Sequence, residues 1–472
     1  MLFSSNEFLF LFLPLSLLLY FITPIRARNL VLFTVSLIFY GWGEPLYVFL
    51  MVFAIISNYL FGFLIERQRE NEKRRKRLLV LSVAVNLATL GFFKYIDFII
   101  INLAHIPFLS GLSPLGIALP IGISFYTFQS MSYVIDVYRG NVSVQRNLVS
   151  FGAYVTMFPQ LIAGPIVRYA DIERELDSRS YSVSRCAEGA RRFVCGLAKK
   201  VLLADTAGAL FERIRSTPDG EGSVLLLWVG LACYAAQIYF DFSGYSDMGI
   251  GLGKILGFDF PENFNYPYIS KSVSDFWRRW HITLSTWFKE YVYIPLGGNR
   301  CGKGRLVFNL LVTWFLTGLW HGASWNFIIW GVYYFVLLAI EKLFLGKYLQ
   351  KMPVALLHVY TLFFVSIGWL IFAFEDTGAG LEYLRAMFGA GGLPFINAEL
   401  GYEMVRNLLL FAVLAVAATP YPKRIYEGIV ARGGACAISA EAILNVATVV
   451  GFLLSIAYLT SSSYTPFLYF RF

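Results

Sequence analysis

The segment LVFNLLVTWFLTGLWHGASWNFIIWGVYYFVLLAIEKLFL, from Leu306 to Leu345, contains two apolar runs around a single histidine. The runs, about 306–320 and 325–345, approach the length of roughly 20 residues that crosses the hydrocarbon core of a bilayer. Only HGAS, which begins at His321, joins them, and so short a connection suits two antiparallel helices. The segment therefore predicts a helical membrane protein with a titratable side chain at bilayer depth.

The composition of the whole chain supports a membrane protein. Hydrophobic residues make up 57% of the 472 residues and charged residues only 15%, whereas a soluble domain carries about 25% charged residues. Apolar segments recur along the chain at roughly 7–23, 29–43, 45–65, 78–102, 115–135, 150–166, 193–210, 224–240, 284–296, 306–322, 325–345, 354–374, 403–420 and 439–459. We predict an all-α polytopic membrane protein, one domain over residues 1–472, with about 12 transmembrane helices.

Basic residues lie in the short loops between these apolar segments, as they do in cytoplasmic loops. The loop ERQRENEKRRKR (Glu66–Arg77) gives the strongest orientation signal. The other basic loops agree with it only if 150–166 and 284–296, which both contain proline, do not cross the membrane. We interpret these two segments as re-entrant or interfacial helices and expect both termini on the outer side. The apolar N-terminus precedes the first arginines, so a retained first helix is expected rather than a signal peptide.

Charge and cysteine usage argue against two other classes of protein. The net charge of +9 is distributed over short loops, so binding of nucleic acid is not indicated. The five cysteines form no C-x-x-C pair, and the chain contains four histidines in all. Neither a disulfide framework nor a metal site is therefore predicted.

Two further polar stretches lie within or beside predicted spans. The run LPIGISFYTFQSMSYVIDVYRG (Leu119–Gly140) carries Gln129 and several hydroxyl residues. Such residues either join helices by hydrogen bonds or line a polar cavity, and both interpretations stay open. Asp241 follows the apolar segment 224–240, six residues before Asp247. This spacing places the two carboxylates on different helix faces, so a paired-carboxylate site is not predicted.

The segment from Asn263 to Arg300 is dense in aromatic and cationic residues. Guanidinium and ammonium groups suit phosphates, and the faces of tryptophan and tyrosine suit an adenine ring. A surface that binds an anionic, coenzyme-sized molecule would have this composition, and so would an aromatic belt at the membrane interface. The candidate residues for contact with such a molecule are Trp277, Arg278, Lys289 and Tyr293.

A histidine at bilayer depth requires a reason, because ionisable groups are costly there. The neutral imidazole of His321 could take a proton from a hydroxyl and return it later. Transfer of an activated acyl group to a hydroxyl needs one base, a polarised carbonyl and good positioning. A proton-coupled transporter could use the same histidine, and a membrane scaffold would need it only for packing.

Six long motifs follow one another along the chain: LGFFKYIDF, LPIGISFYTFQSMSYVIDVYRG, FPQLIAGPIVRY, YFDFSGYSDMGIGLGKILGFDFPENFNYPY, DFWRRWHITLSTWFKEYVYIPLGGNR and TGLWHGASWNFIIWG. In these motifs the chain resembles the membrane-bound O-acyltransferase family from its first helix to its terminal residues. Within the family it resembles the branch that contains the membrane subunits of alginate O-acetyltransferases. The resemblance implies a ring of membrane helices around a central funnel, in the cytoplasmic (inner) membrane of a bacterium.

The resemblance also implies roles for individual residues. His321 corresponds to the catalytic histidine of the family, and His281 corresponds to its second polar position. The implied reaction moves an acetyl group from cytoplasmic acetyl-coenzyme A to a hydroxyl on the outer side, where a partner of the SGNH-hydrolase type serves a polysaccharide. D-alanyl transfer toward teichoic acid and acetylation of peptidoglycan fit the same motifs. The residues expected to line the cavity are Asp241, Gln129, Trp320 and Asn326.

Overall fold

The computed structural model describes residues 1, 3–162, 164–217 and 220–461. Regular structure in this part of the chain is helical, and no strand occurs in it, which confirms the all-α prediction. The chain divides into two compact units, one formed by Met1–Phe193 and Tyr245–Pro261 and the other by Val194–Gly244 and Glu262–Phe472. That the chain forms one domain stays a prediction.

The helices of each unit follow the apolar segments of the sequence. The first unit contains α1 (Leu13–Ile22), α2 (Arg28–Gly43), α3 (Val48–Arg67), α4 (Glu72–Leu103), α5 (Ile123–Arg139), α6 (Leu148–Thr156), α7 (Phe158–Leu161) and α8 (Tyr169–Asp177). Residues of α9 (Val183–Ala198) and α11 (Val224–Leu256) belong to both units. The second unit contains α10 (Asp205–Arg215), α12 (Val273–Arg279), α13 (Ile282–Phe288), α14 (Lys303–His321), α15 (Trp325–Ile340), α16 (Gly346–Leu349), α17 (Val354–Ala373), α18 (Thr377–Met387), α19 (Ala398–Arg406), α20 (Leu408–Ala417), α21 (Tyr421–Val430) and α22 (Gly434–Ser461).

Six helices of the described chain are long and apolar enough to cross a membrane, so the chain is a multi-pass membrane protein. They are α3, α4, α11, Trp325–Leu349, α17 and α22, and the pair α19 and α20, bent by 63°, would make a seventh. The predicted number of about 12 crossings is not confirmed. Helix α2 illustrates the reason, because its 16 residues span only about 24 Å against a hydrocarbon core of about 30 Å.

The two segments interpreted as re-entrant or interfacial form short, interrupted helices. Residues 150–166 contain most of α6 and the single turn α7, which begins one residue before Pro159. Residues 284–296 contain most of α13, and a π-helical turn, Lys289–Tyr293, follows it. None of these helices is long enough to cross a bilayer alone. Their depth in the membrane stays a prediction.

Helix α11 corrects the prediction that Asp241 follows an apolar helix. The helix continues to Leu256, so both Asp241 and Asp247 lie inside it. No proline interrupts this stretch, and its glycines allow close packing. A Cβ on Gly249 would lie only 2.5 Å from the carbonyl oxygen of Pro159. Backbone contact of this kind stabilises helix pairs in membranes, and it keeps the glycine-rich stretch helical.

The hairpin of α14 and α15 places His321 at a defined point. Helix α14 ends at His321 itself, so the connection is one residue shorter than the predicted HGAS. The two helices approach closely at Gly318 and Gly331. A Cβ on Gly318 would lie 2.4 Å from the carbonyl oxygen of Phe327, and one on Gly331 would lie 2.5 Å from that of Trp314. A side chain at either glycine would push the helices apart and displace the histidine.

Candidate functional site

His321 is buried among aromatic rings of the second unit. Its imidazole lies edge-to-face against Trp330 and Phe372, with ring centroids 4.9 and 5.1 Å away. Trp320, its neighbour in the chain, lies 5.0 Å away, and Phe327 lies at 6.4 Å. Helices α14, α15 and α17 supply these rings. The packing fixes the imidazole between apolar walls, at an exposure of 7%.

His281 is also in the second unit, and its backbone is unusual. The residue has a φ angle of 44° and a ψ angle of 54°, in the left-handed region that non-glycine residues rarely adopt. Its side chain is fully buried, at 0% exposure. Such a conformation costs about 1–3 kcal/mol, so neighbouring contacts must hold it in place. The residue immediately precedes α13, and the turn aims its imidazole into the protein.

Asn263 holds this turn together through one amide oxygen. Its Oδ1 accepts hydrogen bonds from the backbone N–H of Thr283 at 3.3 Å and from the hydroxyl of Thr283 at 2.9 Å. The same oxygen lies 3.0 Å from Nδ1 of His281, so Nδ1 carries the hydrogen. The backbone carbonyl of Asn263 also accepts a hydrogen bond from the N–H of Ile282, at 2.9 Å. Asn263 therefore fixes both the backbone turn and the tautomer of the imidazole.

The fixed tautomer leaves Nε2 of His281 as a hydrogen-bond acceptor. Within the described chain this atom is buried and has no hydrogen-bond partner. Burial lowers the pKa of His281 to about 3, so the ring is neutral at pH 7. A neutral imidazole with an available lone pair can accept a hydrogen bond from a bound molecule.

The ring of Trp320 contacts both histidines. Its centroid is 5.8 Å from the ring of His281 and 5.0 Å from the ring of His321. Phe242 of α11 contacts His281, with ring centroids 4.6 Å apart. The two histidines, forty residues apart in the sequence, therefore share one indole neighbour in the same buried region.

Three further residues selected from the sequence lie in or beside this region. Asn326 is fully buried, and its Nδ2 lies 3.4 Å from the carbonyl oxygen of Phe372, the residue that contacts His321. Trp277 contacts Trp330, with centroids 5.4 Å apart. Asp241 directly precedes Phe242 in α11, and Phe242 contacts His281.

Asp241 belongs to a buried ion-pair cluster. Its carboxylate lies 3.0 Å from Nζ of Lys200, and the same ammonium lies 2.5 Å from the carboxylate of Asp205. The side chains of Lys200 and Asp241 are each 3% exposed. Asp247, in contrast, pairs with Arg192 of the first unit, which agrees with the prediction that the two aspartates occupy different faces. Asp241 is thus bound to a cation and supports the helix that carries Phe242.

The four other candidate residues are two exposed cations, a tyrosine and a buried glutamine. Arg278 and Lys289 are exposed. The hydroxyl of Tyr293 donates to Asn299 at 2.5 Å and accepts from the ammonium of Lys342 at 3.2 Å. Gln129 is buried in α5 of the first unit.

Sequence reasoning missed Asn263, Phe372, Trp330 and Lys200. Asn263 lies in the motif NFNYPY, where nothing marks one asparagine as the partner of a histidine 18 residues later. Lys200 lies inside the predicted apolar segment 193–210, and its side chain is buried in the second unit. This position is the available signal, because an ionisable group inside an apolar segment needs a partner.

A cavity of about 720 Å³ opens in the second unit. Gln237, one helical turn before Asp241, contributes to its lining. Ala373 and Phe374 also line it and directly follow Phe372, which contacts His321. The remaining wall comes from α10 and α11 with residues between them, and from α18 with residues before and after it. The cavity is large enough to admit part of a hydroxyl-bearing molecule.

Comparison with known proteins gives one consistent result. Residues 142–374, which include both histidines, match the membrane-bound O-acyltransferase family, MBOAT. The chain is 42% identical over 501 residues to the probable alginate O-acetylase AlgI of Azotobacter vinelandii, with 100% of both chains covered. It is 34% identical to the peptidoglycan O-acetyltransferase of Helicobacter pylori, over 84% of this chain and 81% of that protein. It is 29% identical to the teichoic acid D-alanyltransferase of Bacillus subtilis, over 54% of this chain and 68% of that protein.

Proposed function

This chain belongs to the membrane-bound O-acyltransferase family and is an acyltransferase, and from that premise we propose that it acetylates a hydroxyl acceptor for modification of an extracellular polysaccharide such as alginate. Acetyl-coenzyme A is the proposed donor. The observation that carries the proposal is the buried pair of His321 and His281, which both contact the indole ring of Trp320. The full-length similarity to alginate O-acetylases supports a polysaccharide pathway.

In the proposed reaction, His321 takes the proton from the acceptor hydroxyl as its oxygen attacks the carbonyl carbon of the thioester. The bond between that carbon and sulfur then breaks, and the departing thiolate receives the proton. The products are an acetyl ester and free coenzyme A, and no other reactant is needed. His281 is proposed to accept a hydrogen bond through Nε2, which would orient a bound group without competing for a proton at neutral pH.

The sidedness of the reaction is proposed from the distribution of charge. The exposed cations Arg278 and Lys289 lie in the basic, aromatic segment predicted to be cytoplasmic, and they would contact donor phosphates. The acceptor would enter from the outer side of the inner membrane, with both termini on that side. An outer-side protein of the SGNH type would carry the acetyl group onward to the polysaccharide.

Acetyl transfer to peptidoglycan and D-alanyl transfer are the related alternatives. The alginate O-acetylases match this chain over its whole length, whereas the D-alanyltransferase match covers about half of it. The extent of similarity therefore favours acetyl transfer to a polysaccharide. A transporter of the acyl donor would need no acceptor and would leave the thioester intact.

The test uses purified chain in nanodiscs with acetyl-coenzyme A labelled in the acetyl group. Free coenzyme A and labelled ester are measured with and without an added SGNH-type partner and an uronate polysaccharide. The expected result is coenzyme A release that depends on the acceptor, with label recovered as an ester. Sealed proteoliposomes in which labelled donor crosses intact, without ester formation, would contradict the proposal and indicate a transporter. Ester formation only on peptidoglycan fragments would reassign the acceptor.

A further inference from the structure

Three neighbouring aromatic rings, one of which contacts His321, carry hydrogen-bond donors that no group of the described residues accepts. Trp277, Trp330 and Tyr334 are mutual neighbours, with ring centroids 5.4, 5.0 and 4.8 Å apart. Trp330 and Tyr334 have no exposed surface, and Trp277 is 7% exposed. The indole N–H of each tryptophan and the hydroxyl of Tyr334 are buried and make no hydrogen bond within the described residues.

Buried donors without acceptors are uncommon, because each has lost its hydrogen bonds to water without replacement. An indole N–H can only donate, and a phenol hydroxyl donates readily. A group that satisfied this cluster would therefore offer oxygen lone pairs and lie against aromatic faces. Trp330 is common to the cluster and the catalytic region, since its ring lies 4.9 Å from that of His321. One ring of the cluster therefore contacts the proposed base.

We infer that Trp277, Trp330 and Tyr334 form a carbonyl-binding site for the acyl donor. The inference rests on the proposed function and names a part of the donor that the protein recognises. Acetyl-coenzyme A offers two kinds of neutral carbonyl oxygen in its arm, the thioester carbonyl and the amide carbonyls, and either kind accepts from these donors. A hydrogen bond to the thioester oxygen would strengthen as negative charge develops there, whereas one to an amide would contribute equally before and during reaction.

Adjacent tyrosines of α15 provide a matched test. Tyr334→Phe removes an unused hydroxyl, whereas Tyr333→Phe removes a hydroxyl that donates to the carbonyl of Phe364 at 2.8 Å. Both variants keep the aromatic ring. Deleting an unused buried hydroxyl should leave the thermal midpoint in detergent unchanged or raised, and deleting a used one should lower it.

The two substitutions should rank in the reverse order in their effect on catalysis. Tyr334→Phe should reduce kcat/KM for acetyl-coenzyme A by about 3- to 10-fold, the range for one neutral hydrogen bond, while Tyr333→Phe leaves it unchanged. A lower kcat would assign the thioester carbonyl, and a higher KM would assign an amide carbonyl. Trp277→Phe removes a second donor of the same cluster and should also reduce kcat/KM for acetyl-coenzyme A.

Wild-type kinetics separate this inference from the proposed function. If the wild-type chain transfers acetyl groups but Tyr334→Phe and Trp277→Phe have unchanged kcat and KM, buried water satisfies these donors and the inference is wrong. If the wild-type chain transfers no acetyl group under any acceptor condition, the proposed function itself fails.

Discussion

The two histidines of the candidate site are held in place by different means. His281 is fixed by hydrogen bonds, because one oxygen of Asn263 defines its tautomer and a left-handed backbone aims its ring. His321 is fixed by shape, because rings from three helices surround it and a glycine contact between α14 and α15 sets its position. The first arrangement defines which nitrogen has a lone pair, and the second defines where the ring lies. This difference predicts different responses to mutation.

The largest expected difference is in catalysis. His321→Ala should reduce acetyl transfer at least about 10³-fold, the middle of the range for general-base catalysis. His281→Ala should reduce it less, about 10- to 100-fold, because a hydrogen bond and the geometry of the turn are lost rather than the base. Initial rates of ester formation in nanodiscs measure both. The reverse order of effects would exchange the two roles.

The next prediction concerns the buried ion-pair cluster of Lys200, Asp205 and Asp241. Lys200→Met leaves Asp205 and Asp241 buried without their cation, and breaking such a pair costs about 3–5 kcal/mol. Thermal unfolding in detergent should show a large loss of stability. Lys254→Met is the matched control, because its pair with Glu188 is solvent-exposed and contributes less than about 1 kcal/mol. Equal losses in both variants would show that the cluster is not buried as described.

Asn263→Ala tests whether hydrogen bonding fixes His281. The variant removes the acceptor of Nδ1 and of Thr283, so the free energy of unfolding should fall by about 1–3 kcal/mol. Acetyl transfer per folded molecule should also fall, because the imidazole can adopt the other tautomer. Asn86→Ala removes a comparable buried amide that bonds to Asn58 in the first unit. That control should lose stability and keep its transfer rate, and a fully active Asn263→Ala variant would refute the assignment.

The smallest expected effect is a dependence of stability on pH. His281 binds a proton in the unfolded chain with a pKa near 6.5, whereas burial lowers the folded pKa to about 3. The unfolded state therefore binds more protons between these values, so stability decreases as pH falls below about 6.5. The slope reaches up to about 1.4 kcal/mol per pH unit for one group. Unfolding midpoints from pH 7 to 5 should decrease less in His281→Gln than in the wild type, and parallel curves would contradict the assignment.

The contrast between the histidines also explains what the sequence could predict. The all-α membrane fold follows from apolar segments that repeat along the chain, because each helix satisfies its own backbone in lipid. His321 and His281 were identifiable because an ionisable residue in or beside an apolar segment is costly and therefore indicates a function. The close contact of Gly318 with α15 could be expected only as a general feature of small residues.

The remaining features depend on contacts between distant segments. The left-handed conformation of His281 and its bond to Asn263 arise only when the chain brings residues 263 and 281 together. The contact of Phe372 with His321 joins α17 to the end of α14 in the same way. The error at Asp241 had a local cause, because glycines that are usually poor in helices remain helical where a neighbouring backbone packs against them.

The most direct test of the account measures donor binding and coenzyme A release on one sample of His321→Ala. His321 is assigned to the chemical step, and the contacts that bind the donor are assigned to other residues. The Kd for acetyl-coenzyme A should therefore match that of the wild type, while acceptor-dependent release of coenzyme A falls at least about 10³-fold. Release at the wild-type rate, or loss of donor binding in a folded variant, would contradict the assignment of His321 as the base.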